Sequence, residues 1–251
     1  MKIKIIILGF LISFMNLTFA DDHIEMSAME GLQCNFQEGK DMDDVMKVIS
    51  EWNKFGDKNF GAPYSAWILT PLYRSTTDYS FDFMFLGFTN SFGELGRVQD
   101  DFLNGASKIA AKWESVTDCS GQSMNLNVEA RAPKTPWELG GVGYTSIQSC
   151  SLKEGRAVAD LEENDKVWNK YLDAGDFKGG IWRWWPETGS PTSITHDYWV
   201  VASFDSVEEY GNGRDSMYAA MMANTRPEEI HNCDTPRLYQ SSNIRLAPVT
   251  E

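Results

Sequence analysis

The chain has 251 residues, 42% of them hydrophobic and 13% aromatic, and its 36 acidic against 22 basic side chains give a net charge of −14. That apolar content can bury one sizeable core or two small ones, which excludes general disorder. The negative charge repels phosphate backbones, so neither nucleic acid nor an anionic lipid surface is an expected partner.

The N-terminus reads as a secretory signal. Lys2 and Lys4 give a positive start, Ile5 to Phe14 an apolar run, and Thr18-Phe19-Ala20 the cleavage site, so residues 1–20 are the expected leader and Asp21-Asp22 the start of the mature chain. Loss of the two lysines makes the mature protein still more acidic. No later window holds ~18 uncharged apolar residues, so no integral membrane segment is expected. No cysteine stands at the cleavage site to take a lipid. The expected location is periplasmic or secreted.

Next comes an apolar stretch around Cys34 that reads as a strand ended by Gly39. Val45, Ile49, Trp52 and Phe55 recur at helical spacing and predict a helix from Asp43 to about Phe55. Tyr64 to Tyr73 and Asp82 to Thr89 are rich in aromatic and branched residues and predict a hairpin around the turn residues Ser75 to Asp78. Ser91 and Glu94 have the spacing of a capping box, predicting a second helix from Phe92 to Trp113, and Asn125 to Ala130 supply a last strand.

The same order then repeats. Cys34 to Lys40 aligns with Cys150 to Arg156 at an offset of 116, and Glu51-Trp52-Asn53-Lys54-Phe55 falls on Val167-Trp168-Asn169-Lys170-Tyr171. At an offset of 115, Ala66-Trp67-Ile68-Leu69-Thr70-Pro71 falls on Ile181-Trp182-Arg183-Trp184-Trp185-Pro186, and Asp118-Cys119 meets Asn232-Cys233 at 114. Tryptophan is too rare for these coincidences to be chance. A repeat of this length is a small domain rather than a solenoid unit. The organisation is a first copy over 27–131, a linker rich in Pro and Gly over 132–143 and a second copy over 144–247. In copy two the first helix has the thinner apolar face of Leu161, Val167 and Trp168; Ser206 and Glu209 form a second capping box, with a helix from Val207 to Asn224 and a last strand from Ser242 to Leu246.

Strand, helix, strand, strand, helix, strand is the βαββαβ order of a ferredoxin-like unit, which leaves one sheet face bare. Two bare faces in one chain are best buried against each other. The chain therefore resembles the dimeric α/β-barrel superfamily, over about residues 30–247, with both halves fused: an α+β fold of two tandem ferredoxin-like units packed as a pseudo-dimeric barrel. A fused pair completes one barrel, so the expectation is a monomer. Four cysteines in an exported protein form two disulfides, and three pairings are open. The repeat favours Cys34 with Cys119 and Cys150 with Cys233, so that each copy carries its own bridge; in such a unit the first strand and second helix end on the same side of the sheet. No Cys-x-x-Cys occurs and histidine is scarce, so no metal site is expected.

The resemblance implies a superfamily with cofactor-independent monooxygenases, haem-handling proteins, isomerases and decarboxylases, so fold alone decides little. No cofactor is assigned. Trp67 and Trp182 are equivalent positions, and packing explains their presence in both copies. Copy two adds Trp184, Trp185, Tyr198 and Trp199. In a strand Trp182 and Trp184 share one face and Arg183 the other. Trp67, Trp182, Arg183, Trp184 and Tyr198 are the candidate ligand-binding residues, with Arg183 either meeting an anionic or carbonyl group or pairing with an acid. Arg183 and Trp184 replace Ile68 and Leu69, and His196 replaces Phe81. His196 and Asp197 are candidates for moving a proton, and His196 also for holding a haem, against the plainer reading of a turn histidine. Asn53-Lys54 and Asn169-Lys170 line a site or finish a polar helix end. No phosphate loop, His-Glu-x-x-His helix or Gly-x-Ser-x-Gly elbow occurs.

Three readings follow, in this order. The first is an exported barrel that binds or senses a small aromatic or apolar molecule, mainly through copy two. The second is a cofactor-independent oxygenase or isomerase using the same pocket. The third is an interaction module with an exposed aromatic patch.

Overall fold

Capping side chains start the first helix of the chain and the helix that follows the central strand pair of each half, and left-handed glycine turns end the first strand of each half. In the computed structural model, which describes residues 26–75 and 80–247, β1 (Met26–Phe36) runs into a turn at Gly39, whose φ of +72° lies in the left-handed region that glycine enters freely. Gly155 repeats this at +78° after β5 (Val142–Leu152). The expected leader lies outside the described residues, as does most of the Ser75–Asp78 turn. Asp41 then caps α1 (Met42–Asn59) by accepting the Asp44 N–H, and Asp43 and Asp44 sit in the first turn, where negative charge suits the helix dipole. β2 (Ser65–Tyr73) and β3 (Phe83–Thr89) form the expected hairpin.

The expected helix from Phe92 to Trp113 is two helices, α2 (Phe92–Gly105) and α3 (Ser107–Val116), with Ala106 as the joint. Asn104-Gly105 weakens the helix there, and Gly105 lies so close to Phe55 that an added Cβ would come within 3.0 Å of that ring. β4 (Thr117–Arg131) is longer than expected because pairing with β1 continues back past Cys119 to Thr117. In the second half α4 (Asp160–Ala174), β6 (Ile181–Pro186), β7 (Tyr198–Phe204) and α5 (Val207–Met222) follow. The last strand is divided into β8 (His231–Cys233) and β9 (Arg237–Arg245) around Pro236, which lacks the N–H a continuous strand would use. α5 ends at Met222 because Asn224 turns left-handed at φ 54°. Both capping serines accept the expected N–H, from Glu94 at 3.2 Å and Glu209 at 3.0 Å. The glutamates reach back one residue further than a standard box, to the N–H groups of Asn90 and Asp205.

Eight of these strands close into an antiparallel barrel in the order β7-β6-β4-β1-β3-β2-β9-β5, with β5 returning to β7 and β8 added beside β5. Each half contributes four neighbours in the same sequence, last-first-third-second, and the halves join at two seams, β4 with β6 and β2 with β9. Closure leaves no long edge exposed. The seams are tied by matched side chains. Asn53 of α1 donates to the Ile244 carbonyl at 2.8 Å, and Asn169 of α4 donates to the Ala130 carbonyl at 2.9 Å. Arg245 pairs with Asp57 at 2.7 Å, and Arg131 with Asp173 at 2.6 Å. The repeated asparagines are therefore seam residues.

Strand alternation divides the core in two layers. Along β1, Ala28 and Cys34 face the helices, where they join Val45, Ile49, Leu95 and Val98, while Met29 faces the barrel interior. The interior cluster mixes the halves: Leu69, Met84 and Leu86 from the first touch Ile147, Trp184, Val201 and Tyr239 from the second. Each such aliphatic side chain contributes about 1.5–3 kcal/mol on burial. The disulfides are Cys34–Cys119 and Cys150–Cys233, each joining directly opposed residues of neighbouring strands. No helix among the described residues is long and apolar enough to cross a membrane.

Candidate binding cavity

The interior does not fill to the end of the barrel where β3 and β7 finish. A cavity of about 360 Å³ remains, walled by inward positions of all eight barrel strands, among them Trp67, Leu86, Phe88, Trp182, Trp184 and Val201. The aromatic wall is a connected set. Trp67 meets Phe88 edge-on at 5.2 Å, and Phe88 lies 6.4 Å from Trp184. The segment between β4 and β5 drops Trp137 onto this wall, 5.7 Å from Trp67 and 6.3 Å from Trp182. Trp67 and Trp182, the equivalent pair, thus come from opposite halves and are bridged by an indole from the linker.

Polar groups interrupt the wall. Asn127 donates to the Ser27 hydroxyl at 2.8 Å, and the Ser203 hydroxyl accepts the Gly180 N–H at 2.9 Å. Asn127 Oδ1 and Ser241 Oγ are buried with no hydrogen-bond partner among the described residues. A buried polar atom without a partner costs about 1–3 kcal/mol, so a bound molecule that supplies a donor or acceptor here gains on that account. Glu129 adds a carboxylate to the wall.

Of the residues singled out from sequence, Trp67, Trp182 and Trp184 line this cavity. Arg183 and Tyr198 do not. Arg183 points to the opposite face of β6 and is 5% exposed, and its two guanidinium NH2 groups grip Asp165 of α4, Nη1 to Oδ2 at 2.6 Å. Burial works against its charge and the Asp165 carboxylate more than offsets that. Tyr198, on the same side, lies beneath Arg183 at 5.8 Å and hydrogen-bonds the His231 ring at 3.0 Å. Burial pushes the Tyr198 phenol up to about 12 and pulls His231 down to about 4. Alternation explains the split, because inward Trp182 and Trp184 require outward Arg183.

His196 and Asp197 stand before β7, at the end of the strand away from the cavity's Val201 and Ser203. The His196 ring is half-buried, 4.6 Å from that of Trp199, and burial lowers its pKa. Asp197 accepts the Leu152 N–H at 2.8 Å, as Asp82 accepts the Phe36 N–H at 2.8 Å, so the two aspartates close the same turn in each half. Trp137 was hidden from sequence reasoning by its neighbours, since proline and glycine mark a linker; a lone tryptophan inside such a segment was the available signal.

No three His, Cys, Asp or Glu side chains among the described residues are grouped to hold a metal ion. Nor does the donor set fit a haem in this cavity, whose wall has no histidine, cysteine, methionine or tyrosine to meet the iron.

The barrel is closed, carries its helices outside and takes four strands from each half. No protein-family description and no curated protein matches the sequence. Among solved structures, a chlorite dismutase-like protein superposes with a TM-score of 0.50 at 12% identity, covering 86% of this chain and 94% of that one. A double mutant of chlorite dismutase from Candidatus Nitrospira defluvii gives 0.50 at 8% identity, covering 88% and 93%. At such identities the likeness is one of fold.

Proposed function

We propose that this chain is an exported protein that binds a small aromatic molecule with a polar edge inside a barrel made of two fused ferredoxin-like units, 27–131 and 144–247, joined by the 132–143 linker, and that it acts as a monomer. The observation that carries the reading is the convergence of Trp67, Trp182 and Trp137, from both halves and the linker, on one cavity that also holds the unpartnered Asn127 Oδ1 and Ser241 Oγ. Aromatic walls with a few placed polar atoms are the usual make-up of a small-molecule site. Two disulfides in the fold suit an oxidising compartment, which supports export.

Tryptophan fluorescence tests this with 2-naphthol as the probe. Saturable quenching with a Kd between about 1 μM and 1 mM is expected for a ligand of this size. Trp182→Leu should weaken it severalfold, and Ser241→Ala should weaken 2-naphthol more than naphthalene. Quenching that is linear in probe, or unchanged in both variants, overturns the reading. Neither His196 nor Asp197, the groups the sequence nominated for proton transfer, stands on the cavity wall, so we adopt binding rather than catalysis.

A further inference from the structure

A second cavity, of about 320 Å³, lies outside the barrel and is lined by residues of the first half, between the sheet and helices α1, α2 and α3. Its walls are largely aromatic, with Trp52, Phe60, Tyr64, Phe85, Phe102 and Trp113. At its floor is Glu30, 3% exposed. One carboxylate oxygen accepts the Tyr64 hydroxyl at 2.5 Å, and the other accepts Gln99 Nε2 at 2.6 Å and Gln122 Nε2 at 3.1 Å. These donors are all neutral, and no lysine or arginine among the described residues forms an ion pair with Glu30. Arg245, whose guanidinium lies 5.7 Å from the Trp52 ring, is paired with Asp57.

The second half shows that the fold does not need this arrangement. The positions equivalent to Glu30, Tyr64, Gln99 and Gln122 are Ser146, Gly179, Arg214 and Pro236. Room for the phenol is made specifically: a methyl group on Gly87 would overlap Tyr64, and the equivalent of Gly87 is Ala202, where no such ring has to pass. The turn from α2 into α3 is likewise peculiar to this half, since the residues that follow α5 form no helix. It places Leu103, 74% exposed, and Ala110 on the cavity's helical side. Burial pushes the Glu30 carboxyl up, which its hydrogen bonds from Tyr64 and Gln122 only partly oppose. A buried carboxylate without a cation is costly, and aromatic faces around it are suited to attract one.

From this geometry we propose that the cavity is a binding site for a hydrophobic organic cation, a primary ammonium on an aryl or alkyl body, with the ammonium at Glu30 and the body among the aromatic rings. Glu114 at the wall and the chain's net charge of −14 favour entry of a cation over an anion.

The test is isothermal titration at pH 7 with 2-phenylethylamine and, as its uncharged counterpart, 2-phenylethanol. The amine should bind one per chain at least tenfold more tightly than the alcohol. Glu30→Gln should bring the two within twofold of each other while leaving 2-naphthol binding in the barrel unchanged. Ala110→Trp, which fills the cavity from its helical wall and keeps the Glu30 network, should abolish binding of the amine. The proposal is overturned if the alcohol binds as well as the amine, if the preference survives Glu30→Gln, if Ala110→Trp binds the amine as the unaltered protein does, or if the amine gives no saturable heat at millimolar concentration.

Discussion

Trp137→Ala separates the ligand site from the scaffold. Trp137 is 37% exposed and belongs to no helix or strand, yet it meets the rings of Trp67 and Trp182 across the cavity. One aromatic pair is worth about 0.5–1.5 kcal/mol. Losing one indole from the stack around a bound ring should therefore raise the Kd for 2-naphthol about 2–12-fold. Losing both indole contacts costs at most about 1–3 kcal/mol of stability, or about 2–12 °C in Tm for a domain of this size. Trp184→Ala supplies the contrast, because Trp184 is 7% exposed in the interior cluster and its truncation should cost about 3–5 kcal/mol. Fluorescence titration and calorimetry on both variants give the comparison. If Trp137→Ala binds 2-naphthol within twofold of the unaltered protein, the linker is no part of the site and the reasoning fails.

Three further outcomes are expected. Replacing Cys34 and Cys119 together by serine opens a loop closed across 85 residues, which the chain-entropy relation values at about 4–5 kcal/mol; calorimetry should show a Tm about 8–20 °C lower, and a change under about 3 °C would contradict that value. His231, held near a pKa of about 4 by burial with Arg183 and Lys153 adding to it, stays neutral in the fold while the unfolded chain takes up a proton below about 6.5. Stability is therefore lost as pH falls from about 6.5 to about 4, and His231→Gln should flatten that part of a Tm profile; an unaltered profile counts against it. Gly87→Ala should displace Tyr64 and lower Tm by more than about 4 °C in thermal unfolding, whereas Ala202→Gly, at the matching position, should cost roughly 1 kcal/mol or less.

The architecture was legible where it depended on periodic pattern. The matched tryptophans, capping serines and cysteines carry elements that recur in the same order, and strand alternation correctly put Trp182 and Trp184 on one face. Boundaries set by tertiary contact were not legible. The break at Ala106 depends on Gly105 approaching Phe55, and the division of β8 from β9 follows from one proline. The candidate site was legible in part for the same reason. Pattern finds inward aromatic residues on strands, but the position of Trp137 depends on how a connecting segment folds over the barrel mouth. The excess of unusual residues in the second copy drew notice to Arg183, Tyr198 and His196, whose chemistry the structure directs to α4, to His231 and to the far end of β7. Glu30, Tyr64, Gln99 and Gln122 are scattered over the first copy, and only the register of β1 against β3 and β4 gathers them.

The central claim is that the barrel cavity is a site for a small aromatic molecule. Crystals soaked in 6-bromo-2-naphthol test it most directly, through the anomalous signal of bromine. A peak is expected inside the barrel among Trp67, Trp137 and Trp182, with the hydroxyl toward Asn127 or Ser241. Peaks confined to the outer surface, or no peak at a concentration that saturates quenching in solution, would contradict it.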